Sequence, residues 1–187
     1  MANVGEEIAG QYLRVECGCD FVQYNVYTKE AQGEIDVLAV NFHERKVYLC
    51  EVAVHLTTGL LYVTSGKTDT FERFVKKFNR NIDYAEKAFA DFTRHYMLWS
   101  PIVRSSRPGV KYDQSKVVGE IVQTIRQQRN VEIELMINEE FAAAMGKLRA
   151  HAAKATEELK SPLMRLMQIE AYLAKHVAGR KKRQDSN

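Results

Sequence analysis

Two carboxylates stand where the chain would otherwise bury only apolar side chains. Asp36 lies inside residues 34–41 (Glu-Ile-Asp-Val-Leu-Ala-Val-Asn), and Glu51 lies inside residues 46–55 (Lys-Val-Tyr-Leu-Cys-Glu-Val-Ala-Val-His). Both runs read as strands, joined by the polar turn His43-Glu44-Arg45, so they form an antiparallel pair. An ionised carboxylate is costly to bury unless it is paired or bound to a metal ion. Side chains alternate along a strand. Glu34, Asp36, Leu38 and Val40 therefore share one face, and Val47, Leu49, Glu51, Ala53 and His55 share another. If the two faces coincide, Asp36 and Glu51 converge. Two carboxylates, a backbone carbonyl and waters make the oxygen environment that Mg²⁺ prefers. Such an ion activates water and neutralises charge developing on a phosphate. The competing reading is one carboxylate in a strand-end salt bridge and another facing solvent, and this pair alone leaves the two readings level.

A third carboxylate comes from the first helix, expected over residues 4–17. Glu6, Ala9 and Leu13 fall on one semi-apolar stripe, whereas Glu7, Gln11 and Arg14 form a polar face. Glu6 is therefore expected to point inward. Its plainer role is a helix N-terminal carboxylate favoured by the macrodipole.

The remaining pattern supplies the elements that must position these groups. A strand is expected over 21–27, a loop over 56–67, and a long helix over about 68–92. That helix carries the apolar stripe Phe71, Phe74, Val75, Phe78, Ile82, Ala85 and Phe89. A buried strand is expected over 95–103, a helix over 115–129 and a strand over 131–137. Asn138 is expected to cap a helix running to about residue 160. Pro162 opens a last helix to about residue 178. The order α-β-β-β-α-β-α-β-α-α implies an α/β protein, a mixed central sheet flanked by helices with a C-terminal helical extension. Residues 1–137 are expected to form the α/β domain. Residues 138–187 are expected to form helices packed on the core or at a dimer interface, ending in a basic tail.

Composition bounds the function class. Hydrophobic residues make up 45% and charged residues 27% of the 187, which fits a globular chain rather than a disordered one. No apolar run is long enough to span a bilayer. The N-terminal residues have neither the basic start nor the apolar core of a signal peptide, so a cytoplasmic location is expected. Cys17, Cys19 and Cys50 read as free thiols rather than zinc ligands. The net charge of +3 permits a nucleic-acid partner without requiring one. Arg104, Arg107 and Lys111, after the 95–103 strand, could meet phosphate, as could the Arg180-Lys181-Lys182-Arg183 tail; surface solvation is their default. Tyr96, Met97 and Trp99 could form a base-stacking platform, but an apolar strand makes core packing the expected role.

The runs Gly5-Glu6-Glu7-Ile8-Ala9, Gly33-Glu34-Ile35-Asp36-Val37-Leu38-Ala39 and Leu49-Cys50-Glu51-Val52-Ala53 together resemble the PD-(D/E)XK (restriction-endonuclease-like) nuclease superfamily. The resemblance covers roughly residues 4–103. It implies Mg²⁺, for which Mn²⁺ can substitute, held by Asp36, Glu51 and the main-chain carbonyl of Val52. It implies that Glu6 orients water or a second ion. The expected activity is hydrolysis of phosphodiester bonds in nucleic acid, with DNA the expected substrate and an endonuclease the expected form.

One departure matters, because the family's lysine two residues after the glutamate is Ala53 here. The lysine can have moved, His55 can replace it, or the site can be inactive, leaving a nuclease-fold module that binds nucleic acid or a protein partner. On the long helix Lys77 flanks the apolar stripe whereas Lys76 points away from it. Lys77 can thus bury its stem and send its ammonium into a neighbouring cleft, and it is preferred to Lys76 and to Lys67. The apolar faces of the last two helices are compatible with a homodimer, which would suit cutting of both strands.

Overall fold

The computed structural model describes residues 2–27, 33–106 and 112–184, the side chains of 181–184 excepted. Helix α1 (Val4–Val15) begins at a capping box. Asn3 accepts from the Glu6 N–H, and the Glu6 carboxylate accepts from the Asn3 N–H. Strands β1 (Phe21–Tyr27), β2 (Glu34–Asn41) and β3 (Lys46–Val52) follow, and then a small hairpin of β4 (Val63–Thr64) and β5 (Lys67–Thr68). Helix α2 (Thr70–Ala88), β6 (Thr93–Ser100), α3 (Gln114–Arg129), β7 (Ile133–Ile137), α4 (Asn138–Lys154) and α5 (Pro162–Gln184) complete the order.

One five-stranded sheet organises the chain, in the order β1-β2-β3-β6-β7. The first three strands are an antiparallel meander, and β6 and β7 add in parallel. Parallel neighbours need a crossover, which α2 and α3 provide. The protein is therefore α/β with a mixed sheet between helices. One face packs Leu38, Leu49 and Leu98 against Phe74 and Phe78 of α2 and Ile121 of α3. The other packs Val37, Cys50 and Trp99 against Leu13 of α1 and Phe141 and Leu148 of α4. The centrally placed β2 and β3 are covered on both sides, which explains their near-continuous apolar runs.

Helix α4 is thus part of one core layer, and α5 lays Met164 and Met167 into the same cluster. No helix among the described residues is long and apolar enough to cross a membrane. Trp99 is fully buried, edge-on to Tyr12 and Phe141, and Tyr96 and Met97 are buried too. They pack the core and offer no stacking platform.

Several boundaries differ from the sequence expectation, each for a local reason. β3 ends at Val52 rather than at residue 55, where its pairing with β6 ends, two residues after β2 has left it at Val37↔Cys50. The expected loop over 56–67 contains the β4–β5 hairpin, whose Ser65-Gly66 turn has positive φ at both residues, the geometry that tight hairpins use. Helix α2 consequently starts at Thr70. Asn138 does not cap α4: it has φ 46°, and its amide instead bonds the Val103 N–H and C=O at 2.8 and 3.0 Å. α4 stops at Lys154, and α5 runs on to Gln184.

Candidate active site

The site forms where two strands part. The β2–β3 ladder ends at Val37↔Cys50, so Asp36 and Glu51 occupy the next, unpaired positions. β3 stays paired with β6 as far as Val52↔Trp99. The Asp36 carboxylate enters the gap and accepts the Val52 N–H at 2.7 Å, replacing the backbone carbonyl that a continued ladder would supply. The Ala53 N–H donates to the Trp99 carbonyl on the β6 side. The Val52 and Ala53 N–H groups thus point to opposite sides of the strand.

Helix α2 supplies the donors. The Lys77 ammonium lies 3.2 Å from both Asp36 oxygens and also donates to Glu51 Oε2. Asn81 Nδ2 donates to Glu51 Oε1 at 2.7 Å. An Arg80 guanidinium nitrogen lies 3.4 Å from the same oxygen and donates to the Glu34 carbonyl. Lys77, Arg80 and Asn81 stand at i, i+3 and i+4, the spacing that gathers side chains on one helix face. Lys76 is exposed and belongs to the opposite face.

Glu51 is fully buried and Asp36 is 5% exposed. Burial first, and the Asp36 charge second, push the Glu51 carboxyl up to about 8. Burial works against the Lys77 ammonium, but the charges of Glu51 and Asp36 outweigh it and hold its pKa above the ordinary value. Lys77 is therefore charged at neutral pH.

The residues fit a hard divalent cation. The carboxylates already converge on one positive charge, the ammonium. Oxygen donors of this kind, completed by water, match Mg²⁺. Among the described residues no group of three His, Cys, Asp or Glu side chains is close enough to hold a metal, so a cation here would rest on two carboxylates and main chain.

The structure does not bring Glu6 to this pair. Its oxygens accept from the Asn3 backbone and side chain and, at 3.3 Å, from Asn25 Nδ2. It is buried as the third helical residue, closing the capping box, so the plainer reading of this carboxylate describes its contacts. Asn25 sits opposite Asp36 in the β1–β2 register, between Tyr24↔Val37 and Val26↔Ile35. Glu6 thus reaches the neighbouring strand and stops there.

His55 lies beyond the end of β3, exposed, with its ring edge-on to Tyr62 at 5.1 Å; it does not share the strand face with Glu51. Lys67 is exposed on β5. Ala53 is buried in the core under α2, so the position two residues after Glu51 carries no polar group. Arg104 donates to the Thr57 carbonyl at 2.6 Å, and its backbone is tied to Gln114, so it braces the loop after β3. Arg107 and Lys111 lie outside the described residues. The three cysteines are free. Burial raises the Cys17 and Cys50 thiols and pushes Cys19 up to about 12, which disfavours the reactive thiolate.

Sequence reasoning missed Arg80 and Asn81. The signal was available for Asn81: Phe74, Phe78, Asn81 and Ala85 follow helical spacing and are all buried, so one polar residue interrupts an apolar stripe. Arg80 carried no comparable signal. Compared with protein families, curated proteins and solved structures, the chain matches none of them.

Proposed function

We propose that the chain is a divalent-metal-dependent nuclease that hydrolyses phosphodiester bonds in nucleic acid, acting as an endonuclease on DNA. The observation that carries this reading is the convergence of Asp36 and Glu51, from two strands that part at that point, on a single cation position. The motif order Gly33-Glu34-Ile35-Asp36 followed by Glu51-Val52 supports it, as does its resemblance to PD-(D/E)XK nucleases. Asp36, Glu51 and the Val52 carbonyl would hold Mg²⁺ or Mn²⁺. The bound ion would supply charge neutralisation at phosphate and an activated water. Asp36 remains braced by the Val52 N–H, so its second oxygen is the freer one. Lys77, charged and aimed between the carboxylates, stabilises negative charge on the phosphate and cannot accept a proton at neutral pH. It takes the part that the residue at position 53 leaves open.

The active unit we propose is a homodimer. The outward side of α5 exposes Leu166, Ile169, Leu173 and Val177. Glu157 precedes that helix, whereas Arg180 lies late in it, and both are exposed, so an antiparallel pair of α5 helices can bring opposite charges together.

The test is cleavage of supercoiled plasmid, linear duplex, single-stranded DNA and RNA by the full chain with Mg²⁺ or Mn²⁺. Cleavage that is lost with chelator and in Asp36→Asn is the expected result. A wild-type chain that binds nucleic acid but cleaves none of these substrates would instead make it an inactive binding module.

A further inference from the structure

The two oxygens of Glu51 are held differently. Oε2 accepts from Lys77, whose ammonium also lies 3.2 Å from Asp36. Oε1 is fastened to α2, by Asn81 Nδ2 at 2.7 Å and more distantly by Arg80 at 3.4 Å. Asn81 is fully buried, on the apolar stripe between Phe78 and Ile82. A buried amide is costly unless its hydrogen bonds are made. Here the nitrogen serves Glu51, and the oxygen accepts from Arg80 at 3.3 Å, so a single amide orients both neighbours.

A neutral donor suits this place. It makes the shorter of the two bonds to Oε1, at 2.7 Å, while the Arg80 charge stands further off at 3.4 Å. Arg80 is only 10% exposed and lies further along the helix face. Gly33 makes room for it, since a Cβ there would lie 2.0 Å from an Arg80 terminal nitrogen.

We propose that Asn81 is a positioning residue for cation binding: it pins Oε1 of Glu51, with Arg80 as brace, so that Oε2 is already presented to the gap beside Asp36. This rests on the reading of Asp36 and Glu51 as cation ligands. Partners that orient ligands in this way are worth roughly 10- to 100-fold in metal affinity.

The experiment is Mn²⁺ titration of the full chain followed by electron paramagnetic resonance, well below the unfolding temperature. Wild type, Asn81→Leu, Asn81→Ser and Asp36→Asn are compared, with circular dichroism confirming the fold of each. Leucine keeps the volume without the donor, and serine keeps a donor too short to reach Glu51. If the leucine variant does not fold, the serine variant decides. We expect affinity to fall roughly 10- to 100-fold in the folded Asn81 variants and to vanish in Asp36→Asn. A purely structural Asn81 would lower thermal stability and leave the affinity of the folded chain unchanged. A folded Asn81 variant that binds Mn²⁺ within about threefold of wild type, while Asp36→Asn loses it, would overturn the inference alone. Failure of the wild type to bind Mn²⁺ would overturn the metal reading and this inference with it.

Discussion

Glu51 has a fully buried carboxyl whose pKa is pushed up to about 8, and this sets the pH behaviour of the site. Because the folded value is raised, the protonated form is the one that folding favours. Its stabilising contribution is complete below the ordinary value of 4.5 and is lost as pH rises through about 8. Metal binding runs the opposite way, since a ligating carboxylate must first release its proton. Apparent Mn²⁺ affinity should therefore rise with pH by up to about tenfold per unit and level off above about pH 8. Calorimetric titrations across that range check it, and affinity that does not change with pH would contradict the proton assignment. Replacing Asp36 by Asn keeps an acceptor for the Val52 N–H, so activity should be lost with the fold intact. The two carboxylates were legible in the sequence because charges inside apolar strands demand an explanation. Glu6 misled because an inward-facing carboxylate near a helix start serves a capping box as readily as a metal.

At the scale of elements, α2 carries the donors and β2–β3 the acceptors. Lys77→Met leaves two carboxylates facing one another. It should destabilise the metal-free protein by about 2 kcal/mol, less than the 3–5 kcal/mol typical of breaking a buried pair because Glu51 can take up a proton. Lys76→Met should be silent in both stability and cleavage, since its side chain is exposed. Chemical denaturation of the two variants side by side measures the difference, and equal losses would contradict the assignment of α2 faces. Gly33 has φ 131° and abuts Arg80, so Gly33→Ala should cost about 2 kcal/mol through strain, read in the same way. Helix periodicity alone distinguishes Lys77 from Lys76, because a flanking position on an amphipathic helix has only one cleft to enter. The end of β3 was not legible. Strand 46–55 continues its apolar pattern past Val52, and only the loss of both partners, β2 after Cys50 and β6 after Val52, stops it. The β4–β5 hairpin was hidden for a related reason, since two-residue strands are defined by their pairing rather than by composition.

For the whole molecule, the sheet order places the parting of β2 from β3 beneath α2, between the two helical layers. The α/β class and the order of the main elements followed from periodicity. The length of α5 did not, because its apolar positions give way to a basic run that reads equally well as a solvated tail. The exposed α5 stripe predicts a dimer in sedimentation at micromolar concentrations, and Leu173→Glu should make it monomeric without lowering its thermal stability. A wild-type chain that stays monomeric would remove the dimer from the account and leave the cation site untouched.

The central claim is that Asp36 and Glu51 form a working cation site, and calorimetric titration of Mg²⁺ and Mn²⁺ into wild type and Asp36→Ala tests it most directly. The account predicts one site per chain in the wild type, with a proton released on binding near neutral pH, and no binding in the variant. Binding of equal strength in both proteins would contradict it.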